Sequence, residues 1–295
     1  MQINSKKNKY ILATQSNIMQ LIGARNYIAV ALIFSFAIGS VAAASFEFTA
    51  INVGQGDAIY VKSPSGKHIL IDCGDNGQGG TVLNYLKGKG VSHIDYLVAS
   101  HYHADHIGGC DEVLNSTQVT VGEVDDRGGS YDSQSFRDYV AAAGAKRKII
   151  GDSLDFGQNA TAKVLQKDFG TDENGKSIVV KFTFNKLEVL SGGDCTEACE
   201  TNLINTNSPG DIEVYKVHHH GSKYSSSQGF LNVILPEVSI ISVGPNSYGH
   251  PAPETLGRLK AIGSAIYRTE KNGNVALTSE DGLTYKVLGK KYIAR

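Results

Sequence analysis

Four potential metal ligands lie within six consecutive residues of the sequence, at His101, His103, Asp105 and His106. Neutral imidazole and carboxylate groups suit zinc, manganese or iron, and two such ions in one site typically lie about 3.5–4 Å apart. We therefore predict two divalent ions, zinc or manganese, one bound by His101 and His103 (the first-ion site) and one by Asp105 and His106 (the second-ion site). A solvated, histidine-rich loop is the alternative interpretation.

The segments that flank this motif predict how it is positioned. Residues 94–99 form an apolar run that is typical of a buried strand, and Gly108 and Gly109 follow the motif. Four ligands cannot all lie on one face of a strand, because successive side chains point to opposite faces. The chain must therefore turn where the strand ends, and the two glycines allow its backbone to approach another group closely.

The first 44 residues have the composition of a secretory signal peptide. They contain four basic residues and no acidic one, followed by an apolar run over residues 27–39 and by the alanine-rich stretch 41–44. We predict cleavage after Ala44 and export to the periplasm or the medium. An uncleaved N-terminal anchor is the alternative, because about 20 apolar residues are enough to span a bilayer.

The charge of the remaining chain limits the kinds of partner it can bind. Without the four basic residues at the N-terminus, 24 of the 28 Lys and Arg remain against 29 Asp and Glu, a net charge of −5. An acidic chain without tryptophan lacks the basic, aromatic track that holds long nucleic-acid strands. We therefore expect no tight binding of long strands and no obligate protein partner. A phosphate substrate at two divalent ions remains compatible with this charge, because the ions reverse it locally.

Four cysteines in an exported chain predict disulfides. Cys195 and Cys199 are four residues apart and would share one face of a helix. Cys73 follows a predicted strand and Cys110 follows the metal motif, so both should lie near the rim of the site. Bridges Cys195–Cys199 and Cys73–Cys110 are favoured, with buried thiols or metal ligands as the alternatives.

Five further motifs accompany the central one, and together they make the chain resemble a known family. They are Asn52-Val-Gly-Gln-Gly-Asp57, Leu70-Ile-Asp72-Cys-Gly74, Gly193-Asp194, Lys216-Val-His-His-His-Gly-Ser222 and Asn246-Ser-Tyr-Gly-His250-Pro. The combination resembles the metallo-β-lactamase superfamily. Within it, the chain is similar to the extracellular hydrolase domain of ComEC-like competence proteins and to the secreted stand-alone relatives of that domain.

The resemblance extends from about residue 46 to the C-terminus and implies the fold. This is the four-layer αβ/βα sandwich of the α/β (α+β) class, formed by a single domain over residues 45–295. The order of the predicted elements agrees with this expectation. Strands are followed by helices and then by strands again, as in two β-sheets packed face to face with helices outside.

The resemblance also implies roles for residues outside the central motif. Asp194 corresponds to the aspartate that bridges the two ions. One of His219 and His220 would complete the second-ion site, and we favour His219. His220 would then contact the phosphoryl oxygens or act as a general acid. His250 would be a further ligand or the proton donor to the leaving group.

Other residues are predicted to support the ligands or the substrate. By resemblance, Asp72 would orient a ligating histidine through a hydrogen bond. Gln55 and Asp57 would face the site from a glycine-rich bend, although Asp57 could equally cap the turn. Ser222 could donate its hydroxyl to the phosphoryl oxygens.

The sequence lacks one ligand that the resemblance leads us to expect. It has no histidine between residues 107 and 217, where superfamily hydrolases with a full ligand set place a third histidine for the first ion. This absence counts against a β-lactamase. The first-ion site is then open, or it is completed by an oxygen ligand. Asp126, at a strand end, is the candidate, with a surface turn as the alternative role, and Arg127 could pair with a substrate phosphate.

These observations predict an exported metal-dependent hydrolase of the phosphodiesterase or nuclease type, which uses a metal-activated water. Asp105 and Asp194 would orient the nucleophile. Extracellular DNA, a nucleotide and a smaller phosphodiester, such as a phosphocholine-decorated wall polymer, are the candidate substrates. The alternative is a catalytically inactive, secreted binding module on the same scaffold, since a fold does not imply a function.

Overall fold

The alternating and apolar runs of the sequence fold into the strands of two β-sheets. The computed structural model describes residues 44–206 and 209–295, so residues 1–43 of the predicted signal peptide lie outside the described part. The strands are β1 Phe46–Ala50, β2 Ile59–Lys62, β3 His68–Ile71, β4 His93–Val98, β5 Thr120–Asp126, β6 Arg147–Ile149, β7 Ser153–Leu154, β8 Ala160–Gln166, β9 Val179–Phe184, β10 Leu187–Ser191, β11 Val214–Lys216, β12 Val238–Ile241, β13 Ala265–Arg268, β14 Val275–Ser279, β15 Thr284–Val287 and β16 Lys290–Ile293.

Short helices connect these strands. The α-helices are α1 Gly79–Gly88, α2 Ala104–Ile107, α3 Cys110–Leu114, α4 Gln134–Ala143, α5 Glu197–Asn205, α6 Gln228–Ile234, α7 Pro253–Ala261 and α8 Thr269–Asn272, and two 3₁₀ turns cover Gly144–Lys146 and His218–Gly221. Within the described ranges, none of the helices combines the length and the apolar character that crossing a bilayer requires.

The two sheets are mixed, and their parallel parts carry the site. The first sheet has the order β16-β15-β14-β1-β2-β3-β4-β5-β6, and the second has the order β13-β12-β11-β10-β9-β8-β7. Strands β3 to β6 are parallel to one another, as are β10 to β13. The segments that follow β3, β4, β10, β11 and β12 contain most of the predicted site residues. The carboxyl ends of parallel strands are the usual place for such sites in α/β sheets.

Three buried clusters fill the spaces between four layers. One lies between the sheets, where Phe48 of β1 packs edge-on against Phe182 of β9 with ring centroids 6.3 Å apart. The second lies between the first sheet and helices α1, α3 and α4, and the third between the second sheet and helices α5, α6 and α7. Strand β3 illustrates the division, because Ile69 and Ile71 face the other sheet while Leu70 faces the helices. The predicted αβ/βα sandwich is confirmed.

Both predicted disulfides are present. Cys73 and Cys110 connect the loop after β3 to the start of α3, with Cα atoms 5.1 Å apart. Cys195 and Cys199 bridge the first turn of α5, with Cα atoms 5.4 Å apart. All four cysteines are paired and buried. The first bridge therefore ties the loop after β3 to the helix that follows the metal motif.

The two disulfides should contribute unequally to stability, because they close loops of different length. The bridges span sequence separations of 37 and 4 residues. Loop-closure entropy predicts a loss of about 4 kcal/mol in the free energy of unfolding when Cys73 and Cys110 become alanine, and of about 2 kcal/mol for Cys195 and Cys199. Urea unfolding of the two double variants measures both values. Equal losses, or the reverse order, would contradict this expectation.

Candidate metal centre

The central motif forms a tight turn at the end of β4. His101 is fully buried, His103 precedes α2 with extended backbone angles (φ −70°, ψ 150°), and Asp105 and His106 lie within that helix. The glycines behave as the sequence predicted. A Cβ atom on Gly109 would lie 2.5 Å from the carbonyl oxygen of Cys73, so only glycine fits there.

Asp194 lies between two groups of histidines. Its Oδ1 atom is 3.1 Å from His106 Nε2 and 3.5 Å from His220 Nε2, while its Oδ2 atom is 3.6 Å from His219 Nε2 and 3.8 Å from His101 Nε2. Asp194 is buried, and Oδ1 accepts no hydrogen bond of acceptable geometry despite these neighbours. A single carboxylate thus presents one oxygen to each group, which is the arrangement expected of a ligand shared by two ions.

The donor atoms have separations that suit a bound metal ion. His106 Nε2 and His220 Nε2 are 3.2 Å apart, and Asp105 Oδ2 is 3.3 Å from His220 Nε2. His101 Nε2 is 3.1 Å from His103 Nδ1. Tetrahedral zinc with bonds of about 2.0–2.1 Å requires donors about 3.4 Å apart. The residues therefore fit a divalent ion at the second-ion site, and Asp105, His106 and His220 form one of the tight ligand clusters among the described residues.

The three adjacent histidines form a turn over His218–Gly221. His219 (φ 53°, ψ 45°) and His220 (φ 51°, ψ 23°) both adopt left-handed backbone angles, which are uncommon for residues other than glycine. Their rings consequently point in different directions. His218 turns away from the centre, and its Nδ1 atom lies 3.0 Å from Oε1 of the buried Glu200.

This turn corrects the predicted assignment of the pair. His219 was expected with Asp105 and His106, but His220 is the residue that lies beside them. His220 Nδ1 donates a hydrogen bond to the carbonyl oxygen of Ser242 at 3.0 Å, so its Nε2 atom is the free donor that faces the second-ion site. His219 lies on the other side of Asp194, beside the oxygen that also faces His101.

Asp72 contacts the ring of His106 on the side away from Asp194. Its Oδ2 atom is 2.8 Å from His106 Nδ1 and 2.6 Å from Ser100 Oγ, and its Oδ1 atom accepts the backbone N–H of Ser100 at 2.7 Å. The carboxylate therefore fixes the His106 ring and directs Nε2 towards Asp194. Carboxylates in this position orient a ligating imidazole and raise its basicity.

Asp57 is held below the centre by a lysine that the sequence analysis did not single out. Lys216 is fully buried in β11 and forms an ion pair with Asp57 Oδ2. Asp57 Oδ1 is 3.6 Å from His220 Nδ1. Asp57 therefore lies behind His220 and does not face the cavity. The signal for Lys216 was a charged residue in an otherwise apolar strand, since a buried lysine needs a buried acid.

Asp126 and Arg127 do not reach the metal ligands. Asp126 is buried, and it accepts hydrogen bonds from Tyr139 and Arg147 at 3.0 and 2.6 Å. Arg127 pairs with Glu173 at 2.7 Å and lies over the ring of Tyr102. Asp126 and Arg127 therefore each form an ion pair with another residue, away from the metal ligands. The idea that Asp126 replaces the third histidine is not supported. The basic residue Arg147 lies on the neighbouring strand, a contact that local sequence does not reveal.

Of Ser222 and Gln55, which were both predicted near the substrate, only Gln55 lines the cavity. Ser222 is buried, and its Oγ atom accepts the backbone N–H of Tyr224 at 3.3 Å, so it shapes the turn after the histidines. Gln55 lines the cavity beside the metal ligands. Asn174 lines it as well, a residue for which the sequence predicted no role in the site. Glu173 next to it accepts the backbone N–H of Tyr102 at 2.8 Å and holds this loop against the motif.

Neighbouring charges and burial shift the pKa values of two histidines of the centre in opposite directions. For His106, burial acts to lower the pKa, but Asp194, Asp72 and Asp105 outweigh it and hold the pKa well above the usual value. For His101, burial and the nearby His106 hold the pKa well below it. In the metal-free protein His106 is therefore a cation at neutral pH and His101 is neutral.

Metal binding should consequently release a proton. At pH 7 His106 is protonated before a divalent ion binds and must be neutral as a ligand, and Asp194, Asp105 and Asp57 raise the pKa of the second ligand His220 as well. We therefore expect release of at least about one proton per protein. Calorimetric titration in buffers of different ionisation enthalpy measures this number. Asp72→Asn, which removes an anion beside His106, should reduce it. Heats that do not depend on the buffer would contradict the assignment of His106.

The centre opens into a cavity of about 370 Å³, at the small end of the range for ligand sites. None of the described residues that line it is lysine or arginine, so an anionic substrate needs bound cations. The lining residues are Gln55, His103, Ala104, Asp105, Asn174, Asp194, His219, His220, Tyr248 and His250.

This chain is a four-layer sandwich with carboxylates and histidines at its strand ends, an arrangement typical of metallo-hydrolases. The chain belongs to the metallo-β-lactamase superfamily, whose family model matches residues 51–244. It resembles competence protein ComA of Neisseria gonorrhoeae, with 31% identity over 229 residues, and ComE operon protein 3 of Bacillus subtilis, with 26% identity over 254 residues. The predicted resemblance to ComEC-like proteins is thus confirmed.

These relatives are much longer than the matched region. The alignments cover 76% and 78% of this chain but only 31% and 32% of the two relatives, so the chain spans about a third of their length. Among solved structures, the metallo-β-lactamase fold protein YhfI from Bacillus subtilis has a TM-score of 0.55 at 12% identity, covering 80% of this chain and 99% of its own. At that identity the likeness supports the fold alone.

Proposed function

We propose that the protein is an exported phosphodiesterase of the nuclease type that depends on two divalent ions. The observation that carries this proposal is Asp194, whose two oxygens face two separate groups of imidazoles. His101, His103, His219 and Asp194 Oδ2 would hold the first ion, and Asp105, His106, His220 and Asp194 Oδ1 would hold the second. In this proposal His219 takes the place of the absent third histidine.

The chemistry of the cavity supports a phosphate ester as substrate. Bound divalent ions would supply positive charge for phosphoryl oxygens and acidify a water molecule near neutral pH. The described residues that line the cavity include neither lysine nor arginine, and the carboxylates of Asp105 and Asp194 among them are suited to orient the attacking water. For Asp105, burial acts to raise the pKa, but His106 and His220 hold it below its ordinary range, so this side chain is an acceptor at neutral pH.

His250 contributes a hydrogen bond and not a proton in this proposal. Burial, His219 and His220 lower the pKa of His250 to about 4, so its ring is neutral at pH 7. A neutral imidazole still donates one N–H to an oxygen of the substrate. The earlier idea that His250 acts as the acid for the leaving group therefore has less support than its role as a donor.

Hydrolysis of a chromogenic diester tests the function directly. The protein, purified as the cell processes it and stripped of metal, is resupplied with manganese or zinc and given bis-p-nitrophenyl phosphate, the corresponding monoester and a chromogenic β-lactam. We expect metal-dependent turnover of the diester in preference to both other compounds. His103→Ala should abolish it, whereas His93→Ala, at an exposed histidine outside the cavity, should not. Full metal uptake without diester turnover would contradict the proposal.

Export is part of the same proposal. The basic and apolar composition of residues 1–44 and two disulfides, which persist in oxidising compartments, support it. Mass spectrometry of the mature protein should give Ser45 as the first residue. An intact N-terminus in the membrane fraction would indicate an anchor.

A further inference from the structure

Tyr248 is an exposed aromatic residue in the wall of the cavity. It is 73% exposed, although it lines the same cavity as the metal ligands. The ring centroid lies 5.7 Å from that of His250, with an angle of 31° between the planes. One face of the tyrosine therefore remains open beside the centre.

The loop that carries Tyr248 is held by one side chain. Asn246 Nδ2 donates hydrogen bonds to the carbonyl oxygens of Gly244 and His250 at 2.8 and 2.9 Å. Asn246 Oδ1 accepts the backbone N–H groups of Tyr248 and His250, both at 3.1 Å. The side-chain amide of Asn246 thus donates two hydrogen bonds and accepts two, and together they fix the backbone on both sides of the tyrosine. A ring presented by a fixed backbone loses little further freedom when a ligand binds, which favours affinity.

The other lining residues offer few contacts to the group that is esterified to the phosphate. Divalent ions at the centre would hold the phosphate, but the described lining offers no lysine or arginine to the group esterified to it. Gln55 and Asn174 offer amides, and Tyr248 offers the only tyrosine, phenylalanine or tryptophan ring among the described lining residues. A single open ring suits the flat face of a nucleobase. Recognition of a quaternary ammonium group such as choline uses a cage of several aromatic rings.

We propose that Tyr248 stacks against the nucleobase next to the scissile phosphate, which makes nucleotide phosphodiesters the preferred substrate class. The stacked base would lie at the mouth of the cavity, and the phosphate would lie at the metal ligands. Because every base has a planar face, such a contact selects nucleotides without selecting a sequence. This inference rests on the phosphodiesterase function proposed above and specifies its substrate.

The test compares three esters that release the same p-nitrophenol. Thymidine 5′-p-nitrophenyl phosphate carries a base, methyl p-nitrophenyl phosphate does not, and p-nitrophenylphosphorylcholine carries a quaternary ammonium group. Tyr248→Ala should raise KM for the thymidine ester roughly 5- to 150-fold, the effect of losing one base–aromatic stack, with kcat little changed. KM for the methyl ester should not change. Tyr248→Phe should behave as the unmodified protein, and so should Tyr224→Ala, an exposed tyrosine outside the cavity.

Other outcomes have separate meanings. An equal change of KM for the thymidine and methyl esters, or no change for either, overturns the stacking role, and a change confined to the choline ester assigns the ring to a different substrate. Calorimetric binding of thymidine 5′-monophosphate and methyl phosphate to the manganese-loaded protein makes the same comparison without turnover. If no ester is hydrolysed but Tyr248→Ala weakens nucleotide binding alone, the phosphodiesterase function fails and the stacking role stands.

Discussion

Replacement of Asp194 by alanine should lower kcat/KM for a phosphodiester by at least about a thousandfold, the scale on which removal of one member of a catalytic set acts. The side chain is buried, and its two oxygens face His101 and His219 on one side and His106 and His220 on the other. Among the described residues, the other acids near the centre reach only the second group, since Asp57 lies within 4 Å of His106 and His220, Asp72 of His106 and Asp105 of His220. Elemental analysis of the same variant should show fewer bound ions.

The controls for this variant separate ligation from folding. Asp132→Ala removes an exposed aspartate whose only described ion pair is with Arg137, and it should leave both turnover and metal content unchanged. Asp194→Asn keeps the shape of the side chain but not its charge, so it should lose metal affinity while remaining folded by circular dichroism. Full metal content together with full activity in Asp194→Ala would show that this aspartate does not join the two sites.

Replacement of Lys216 by methionine should destabilise the metal-free protein by about 3–5 kcal/mol, the cost of breaking a buried ion pair. Lys216 and Asp57 are both buried, and they connect β11 to the glycine-rich bend after β1. Without the ammonium group, Asp57 remains as a buried anion, and its Oδ1 atom already has no hydrogen-bond partner. Urea unfolding of the metal-free protein gives the free-energy difference.

The double variant Lys216→Met with Asp57→Asn identifies the cause of that loss. If the cost comes from the unpaired carboxylate, the neutral amide should recover a large part of the stability, because the single changes are coupled across a direct contact. If the double variant is as unstable as the sum of the two single variants, the ion pair is not the source of the effect.

Much of the fold and centre was predictable because its residues are close together in the sequence. The motif from His101 to His106 follows one strand, so its position at a sheet edge depends on local pattern alone. The cysteine pairs were predictable for a similar reason, since each cysteine borders an element that could be placed. Asp194 follows a strand and two glycines, and Gly193 has the positive φ of 49° that this turn requires.

The features that were missed depend on contacts between distant segments or on backbone angles. Nothing in three consecutive histidines indicates that His219 and His220 adopt left-handed conformations, yet those angles decide which ring joins Asp105. The pairing of Asp126 with Arg147 joins neighbouring parallel strands whose register is not visible in the sequence. Lys216 was passed over because its partner, Asp57, lies 159 residues away.

A titration that counts bound ions and turnover in the same samples tests the central claim most directly. Metal-free protein receives manganese in steps, and each sample is analysed for bound metal by elemental analysis and for hydrolysis of a chromogenic diester. We predict that turnover rises as the second ion binds and reaches its plateau at two ions per chain. Full turnover with one ion would contradict the two-ion centre bridged by Asp194. Turnover that persists without metal would contradict the assignment of this site as a metal centre.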